Sequence, residues 1–195
     1  INLKNNLTDT FPKIIAVSKT FQMTDIKPLI DYGHNDFGEN KVQEAVAKWT
    51  KTKNQITNIK LHMIGKLQTN KVKEAVGLFD YIHSLDSLKL AKKISTEQKK
   101  IKKNLKIFIQ INIGNEVQKS GILLEDLKDF YKICQDDYQL NIIGLMCIPP
   151  VGDNPEEYFE KMKKISQKFL FSELSMGMSS DYLLATKFNA SFLRI

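Results

Sequence analysis

The sequence predicts an α/β fold, a single-domain (β/α)₈ barrel of the TIM type over residues 1–195. Three observations carry this expectation. Short β-branched runs recur, each closed by a polar or glycine turn and followed by a longer stretch with helical spacing, the mark of repeated βα units. Eight such strand segments occur along the chain, and a closed ring explains eight better than an open doubly wound sheet, which usually holds fewer. Apolar residues make up 42% and charged residues 26% of the chain, a balance that builds a core instead of staying disordered.

In chain order, the first strand is Ile14–Val17, ending at Ser18 and Lys19, with a helix over Asp25–Tyr32 and Gly33 past its end. Asn35–Gly38 and the amphipathic run Lys41–Trp49 form the second unit. Leu61–Ile64 is broken by Gly65 and followed by a helix through Asn70–Val76. Tyr81–Leu85 comes next, with Asp86 as helix cap before Ser87–Lys103. Ile107–Ile113 is nearly continuously apolar, as a parallel strand covered on both faces should be, and Leu123–Cys134 supplies its helix. Ile142–Met146 leads through Pro149, Pro150 and Gly152 into the helix Pro155–Phe169. Leu174–Met176 is the seventh strand, a helix opens within Gly177–Asp181 and runs through Lys187, and Ser191–Ile195 begins the eighth strand. The chain starts at isoleucine and stops inside that strand, so the barrel reads as shortened at one or both ends.

Composition narrows the function classes. The formal charge of +7 favours anionic partners. Nearly all of it is lysine, and Arg194 is the only arginine. Proteins that read bases or clamp nucleic-acid phosphates bidentately usually need several arginines, so the basic balance is weak evidence for nucleic acid. Cys134 and Cys147 lack any CxxC spacing, which argues against a disulfide framework or thiolate metal site and fits a reducing, cytoplasmic setting. No apolar stretch approaches bilayer-spanning length, and Ile1–Thr10 is polar rather than signal-like. Gly65-Lys66 lacks the rest of a Walker pattern, and no G-x-S-x-G elbow is present. His34, His62 and His83 are scattered and read as packed or surface residues, without metal-ligand spacing. The lysines from Lys92 to Lys103 read as the solvated face and tail of one helix.

In a barrel the functional face is the carboxyl end of the strands, so the residues just after each apolar run are the candidates. They include Ser18 and Lys19, Glu39 and Asn40, Gly65 to Gln68, Ser84 and Asp86, Asn112 and Asn115, Met146, Ser175 to Ser179, and Arg194. Lys19 follows Ile14-Ile15-Ala16-Val17 directly and so projects into the mouth. An amine beside apolar walls and a cation has its charged form disfavoured, and the free amine adds to aldehydes. Surface solubility remains the alternative for any single lysine in so lysine-rich a chain. At Ser175-Met176-Gly177-Met178-Ser179 a strand stops and a helix starts, which would leave backbone N–H groups free to seat a phosphate, with Arg194 completing the charge. An ordinary helix cap with Arg194 in a surface ion pair is the competing reading.

Together these stretches resemble the pyridoxal phosphate homeostasis protein family, also called the YggS or proline synthase co-transcribed family. Ala16-Val17-Ser18-Lys19-Thr20 resembles its cofactor-lysine segment, and Phe37-Gly38-Glu39-Asn40 with Val42-Gln43-Glu44 its second-strand signature. His62-Met63-Ile64-Gly65-Lys66-Leu67-Gln68-Thr69-Asn70-Lys71 is similar to its H-x-I-G-x-L-Q-x-N-K segment, with Lys66 where proline is common. Ile109 to Asn112, Lys119-Ser120-Gly121, Gly144-Leu145-Met146 and Leu174 to Ser179 follow in the family's order. The resemblance implies a barrel like the N-terminal domain of alanine racemase, a type III pyridoxal-phosphate fold, carrying pyridoxal 5'-phosphate on Lys19 as an internal aldimine. It implies phosphate on the N–H groups around Met178 and Ser179 and near Arg194, with Asn40 beside the ring. Family members usually continue past the Arg-Ile pair into Gly-Thr, which would add two phosphate contacts beyond Ile195, and carry a longer helix before the first strand.

Racemases and decarboxylases of this fold need a further domain or partner chain to supply an acid/base group opposite the lysine and to roof the site. No second domain fits in 195 residues. The expectation is therefore a non-catalytic, monomeric cofactor carrier that serves intracellular pyridoxal phosphate homeostasis and hands the cofactor to apo-enzymes. A stand-alone amino-acid racemase of the same fold and a basic nucleic-acid-binding module are the alternatives.

Overall fold

A computed structural model describes residues 11–116 and 118–195. The polar Ile1–Thr10 segment, and the reduced helix expected there, lies outside the described residues. The strands are β1 (Lys13–Val17), β2 (Asp36–Glu39), β3 (Lys60–Met63), β4 (Tyr81–Leu85), β5 (Lys106–Ile111), β6 (Ile142–Cys147), β7 (Glu173–Met178) and β8 (Phe192–Arg194). All are parallel, each pairs with its sequence neighbour, and β8 pairs with β1 through Ile15↔Arg194, so the ring of eight closes. Closure needs only the short final strand. Ile195 N–H donates to Ile15 O (3.0 Å) and Val17 N–H to Ile195 O (2.6 Å).

Among the described residues seven helices wrap the ring: α1 (Met23–Asp31), α2 (Val42–Gln55), α3 (Val72–Leu78) after a 3₁₀ turn at Thr69–Lys71, α4 (Leu88–Lys100), α5 (Leu127–Asp136), α6 (Pro155–Phe169) and α7 (Tyr182–Lys187). α6 starts as expected of its sequence, with Pro155 in the first turn and Asn154 Oδ1 accepting from Glu156 N–H (3.1 Å). Several boundaries differ from the sequence expectation: α2 runs on past Trp49 to Gln55, β5 stops at Ile111 instead of Ile113, and three helix starts move. Ser87, not Asp86, caps α4, its hydroxyl accepting from Leu90 N–H (3.3 Å). α5 begins at Leu127 rather than Leu123, because Ile122 is still extended and bridged to Ile111 of β5. β7 runs on to Met178, so no helix opens at Gly177; α7 waits for Tyr182.

Two apolar regions result from strands covered on both faces. The outer one packs helices on the barrel, for example Trp49, Phe79, Leu90, Phe159 and Met162. The inner one fills the barrel with Ile15, Tyr81, Phe108, Met146 and Phe192. His62 stacks on Tyr81 (4.2 Å between ring centroids) and His83 on Phe108 (4.4 Å), so two of the three histidines belong to this inner filling. They are not scattered: His62 Nδ1 and His83 Nε2 lie 3.0 Å apart. The cysteines are both free and buried.

Candidate cofactor site

A cavity of about 510 Å³ opens at the carboxyl ends of the strands and brings together Lys19, Asn40, Met178, Ser179 and Arg194. That volume is in the range of small-molecule sites, ~300–1,000 Å³. Val17, Ile64, Ile111 and Ile148 supply apolar wall, while Lys66 and Lys119 add two further ammonium groups. No carboxylate, imidazole, phenol or thiol is among the described lining residues.

Local chemistry explains how each group reaches the mouth. β1 is followed by Ser18, whose N–H donates to Gly38 O (3.0 Å) and whose hydroxyl donates to Glu39 Oε1 (2.8 Å). Glu39 is fully buried and also accepts from Lys48 Nζ (2.9 Å) and Trp49 Nε1 (2.8 Å), while Lys48 Nζ donates to Ser18 O (2.7 Å). The strand ends are thereby pinned to α2, and Lys19, the next residue, stands at the cavity rim. Asn40 sits against Gly65: a Cβ at residue 65 would fall 2.7 Å from Asn40 Cα, so glycine alone allows the two loops to touch. The loop after β5 folds back along that strand, with Asn112 N–H donating to Ile122 O (3.0 Å) and Ile122 N–H to Gln110 O (2.8 Å). Gly121 permits this with φ +131 and no room for a side chain against Asn112. The fold-back carries Lys119 and Ser120 to the cavity, which the strand-end rule did not find; the match at Lys119-Ser120-Gly121 was the available signal. Asn112 spends its side-chain amide on the loop itself, donating to Glu116 O (2.9 Å) and accepting from Glu116 N–H (3.1 Å).

One expectation for the anion seat needs correction, and the competing ion-pair reading of Arg194 fails as well. Met178 N–H is not free: it donates to Asp181 Oδ1 (2.6 Å), because the turn before α7 brings that carboxylate back to the strand end. A phosphate at Met178 must displace it. Gly177 (φ +91) serves the close approach of α7, where a Cβ would meet Ala185 Cβ at 2.7 Å. Arg194 is in no surface ion pair. It is buried, with Nη1 donating to Ser175 Oγ (2.7 Å) and Nη2 to Cys147 O (2.9 Å), and no carboxylate of the described residues lies within ion-pair distance. Burial pulls its pKa below the ordinary arginine value. A buried cation whose only partners are neutral is incomplete without an anion or an electron-rich ligand.

The alanine racemase N-terminal domain family model matches residues 2–195. The pyridoxal phosphate homeostasis protein of Aquifex aeolicus is 34% identical over 94% of this chain and 83% of its own length. That of Escherichia coli K12 is 33% identical over 93% of this chain and 82% of its own. The chain belongs to the pyridoxal phosphate homeostasis protein family. PipY of Synechococcus elongatus, solved with pyridoxal phosphate bound, superposes with a TM-score of 0.85 at 33% identity, over 94% of this chain and 89% of PipY. Alanine racemase of Clostridium difficile shares the fold alone, with a TM-score of 0.73 at 15% identity over 51% of its length. The family's barrel is thus present here, with the residues that the motifs point to gathered at one opening.

Proposed function

We propose that this protein binds pyridoxal 5'-phosphate covalently through Lys19 and serves intracellular homeostasis of that cofactor, handing it to apo-enzymes without turning over amino acids. The observation that carries the reading is an exposed lysine lining a cavity that is also lined by a buried guanidinium with no acidic partner among the described residues. The donor set suits a flat, anionic aldehyde: lysine ammonium groups and Arg194 for charge, Ile64, Ile111 and Ile148 for ring faces. When bound, the cofactor supplies an aldehyde that condenses with the Lys19 amine and releases water. Asn40 would lie beside the ring, and Ser179 and Met178 would hold the phosphate, the Met178 N–H in place of its present bond to Asp181. Lack of turnover is supported by the lining itself, where no carboxylate, imidazole, phenol or thiol of the described residues faces Lys19 as a second acid/base group.

Incubation with pyridoxal 5'-phosphate should give an absorbance band of a lysine C=N linkage that borohydride fixes, and peptide mapping should find the label on Lys19. Lys19→Ala should lose it. A label on another lysine would overturn the assignment, and exchange of an amino acid's α-hydrogen with deuterated water would favour a racemase instead.

A further inference from the structure

Five side chains spread from residue 36 to residue 194 of the sequence join into one hydrogen-bonded row inside the barrel. Arg194 Nη1 donates to Ser175 Oγ (2.7 Å), which lies 2.8 Å from His83 Nδ1. His83 Nε2 lies 3.0 Å from His62 Nδ1, and His62 Nε2 lies 2.9 Å from Asp36 Oδ1. The row runs from the cavity, where Arg194 ends β8, to the opposite end of the barrel, where Asp36 starts β2. Ser175, His83 and His62 are fully buried along the way.

The two ends dictate its direction. A guanidinium only donates and a carboxylate only accepts. His62 Nε2 must therefore carry a proton toward Asp36, which leaves the neutral ring's Nδ1 as an acceptor for His83 Nε2–H. His83 Nδ1 is then an acceptor in turn, filled by the Ser175 hydroxyl, whose oxygen accepts from Arg194. Every hydrogen is used once. With the opposite tautomers, a bare His62 nitrogen would face the Asp36 carboxylate at 2.9 Å, two acceptors without a proton between them.

We propose that Asp36, His62, His83 and Ser175 are positioning residues for Arg194, a one-way row of hydrogen bonds that aims the guanidinium at the cavity from an anchor at the far end of the barrel. Anion binding at the mouth then depends on where the protons sit in two rings that never touch the ligand. The surroundings keep that arrangement. Asp36 also faces Lys13 of β1 and His34, His62 faces Asp80 and the Tyr81 ring, and His83 faces Arg194 and the Phe108 ring. Burial disfavours the charged form of both histidines.

The inference rests on the cofactor-carrier reading only for the ligand's identity, and its first test needs no ligand. Nitrogen NMR of the ¹⁵N-histidine-labelled full chain at neutral pH should show His62 and His83 uncharged and protonated on Nε2. Titration with pyridoxine 5'-phosphate, which has the ring and phosphate but no aldehyde, then reads the cavity independently of Lys19 chemistry. Ser175→Ala should bind it at least about tenfold more weakly, the loss of one hydrogen bond to a charged group, and shift the His83 Nδ1 resonance. Asp36→Asn, which keeps an acceptor oxygen, should preserve the tautomers, whereas Asp36→Ala should mix them. A proton on Nδ1 of either ring in the parent protein overturns the proposal. So does Ser175→Ala binding as tightly as the parent, or an Asp36→Ala protein with unchanged His83 nitrogens. Loss of the Lys19 label with these results intact would instead sink only the carrier reading.

Discussion

Replacing Glu39 by alanine tests the anchor that brings Lys19 to the rim. Glu39 Oε1 is the shared acceptor for Ser18 Oγ, Lys48 Nζ and Trp49 Nε1, at 2.8, 2.9 and 2.8 Å. Its side chain is 0% exposed and that of Lys48 only 12%. Truncation would leave the indole N–H without an acceptor and the Lys48 ammonium facing only the Ser18 carbonyl oxygen, with no counter-charge, in a region water scarcely reaches. Breaking a buried pair by removing one partner costs about 3–5 kcal/mol. At ~2–4 °C per kcal/mol for a domain of this size, the melting temperature should fall by roughly 6–20 °C. Glu39→Gln keeps an acceptor for the indole but loses the charge facing Lys48, and should cost about 1.5–3 kcal/mol, the range for a hydrogen bond to a charged group. Thermal unfolding by far-UV circular dichroism measures both. Trp49 is the only tryptophan, so its emission reports directly on the same contact. If Glu39→Ala melted within about 2 °C of the parent, the shared acceptor would not be holding the strand end and the reasoning would be wrong.

Other expectations follow from the same geometry. Gly65→Ala places a Cβ 2.7 Å from Asn40 Cα and should destabilise by about 1–3 kcal/mol while weakening cofactor binding, checked by melting and by titration; unchanged affinity would remove Asn40 from the site. The folded pKa values of His62 and His83 lie below their ordinary value of 6.5 because of burial, so the unfolded chain binds more protons just below that pH. Stability should therefore be full above 6.5 and decline as pH falls toward the folded values, by up to ~1.4 kcal/mol per pH unit for each ring. Urea unfolding at pH 7.5 and 5.5 measures this, and equal stabilities would contradict neutral rings. Burial pushes the Cys134 and Cys147 thiols up to about 12, so at pH 8 neither should react with a disulfide reagent until the protein is denatured. Rapid labelling of the native chain, located by peptide mapping, would show opening of α5 if on Cys134 and of β6 if on Cys147.

The strands and their order were legible because a parallel strand covered on both faces is mostly apolar, as Ile107 to Ile111 is but for Gln110, and because such runs alternate with helical spacing. That Lys19, Asn40, Ser179 and Arg194 line one opening was legible because a barrel sends the residue after each strand to one face. The helix starts were less so. Whether Asp86 or Ser87 caps α4, and whether α5 begins at Leu123 or Leu127, depends on contacts such as the Ile111–Ile122 bridge that local propensity does not contain. His62 and His83 are packed, as expected, but their contact was not legible for a related reason: no spacing rule joins residues 62 and 83, and they meet only because β3 and β4 pair with both side chains turned inward.

By itself, then, the amino-acid order determined a ring of eight βα units and a lysine at its lip, since burial on two faces and alternation of elements are written locally. Tertiary structure alone decided which partner each polar group finds. Asp181 takes the Met178 N–H, Arg194 goes inward to Ser175, and Asp36 ends the row of hydrogen bonds that begins at Arg194. A buried donor must find an acceptor within about 3 Å, and which acceptor stands there is settled by closure of the ring, which brings side chains distant in sequence to neighbouring strands.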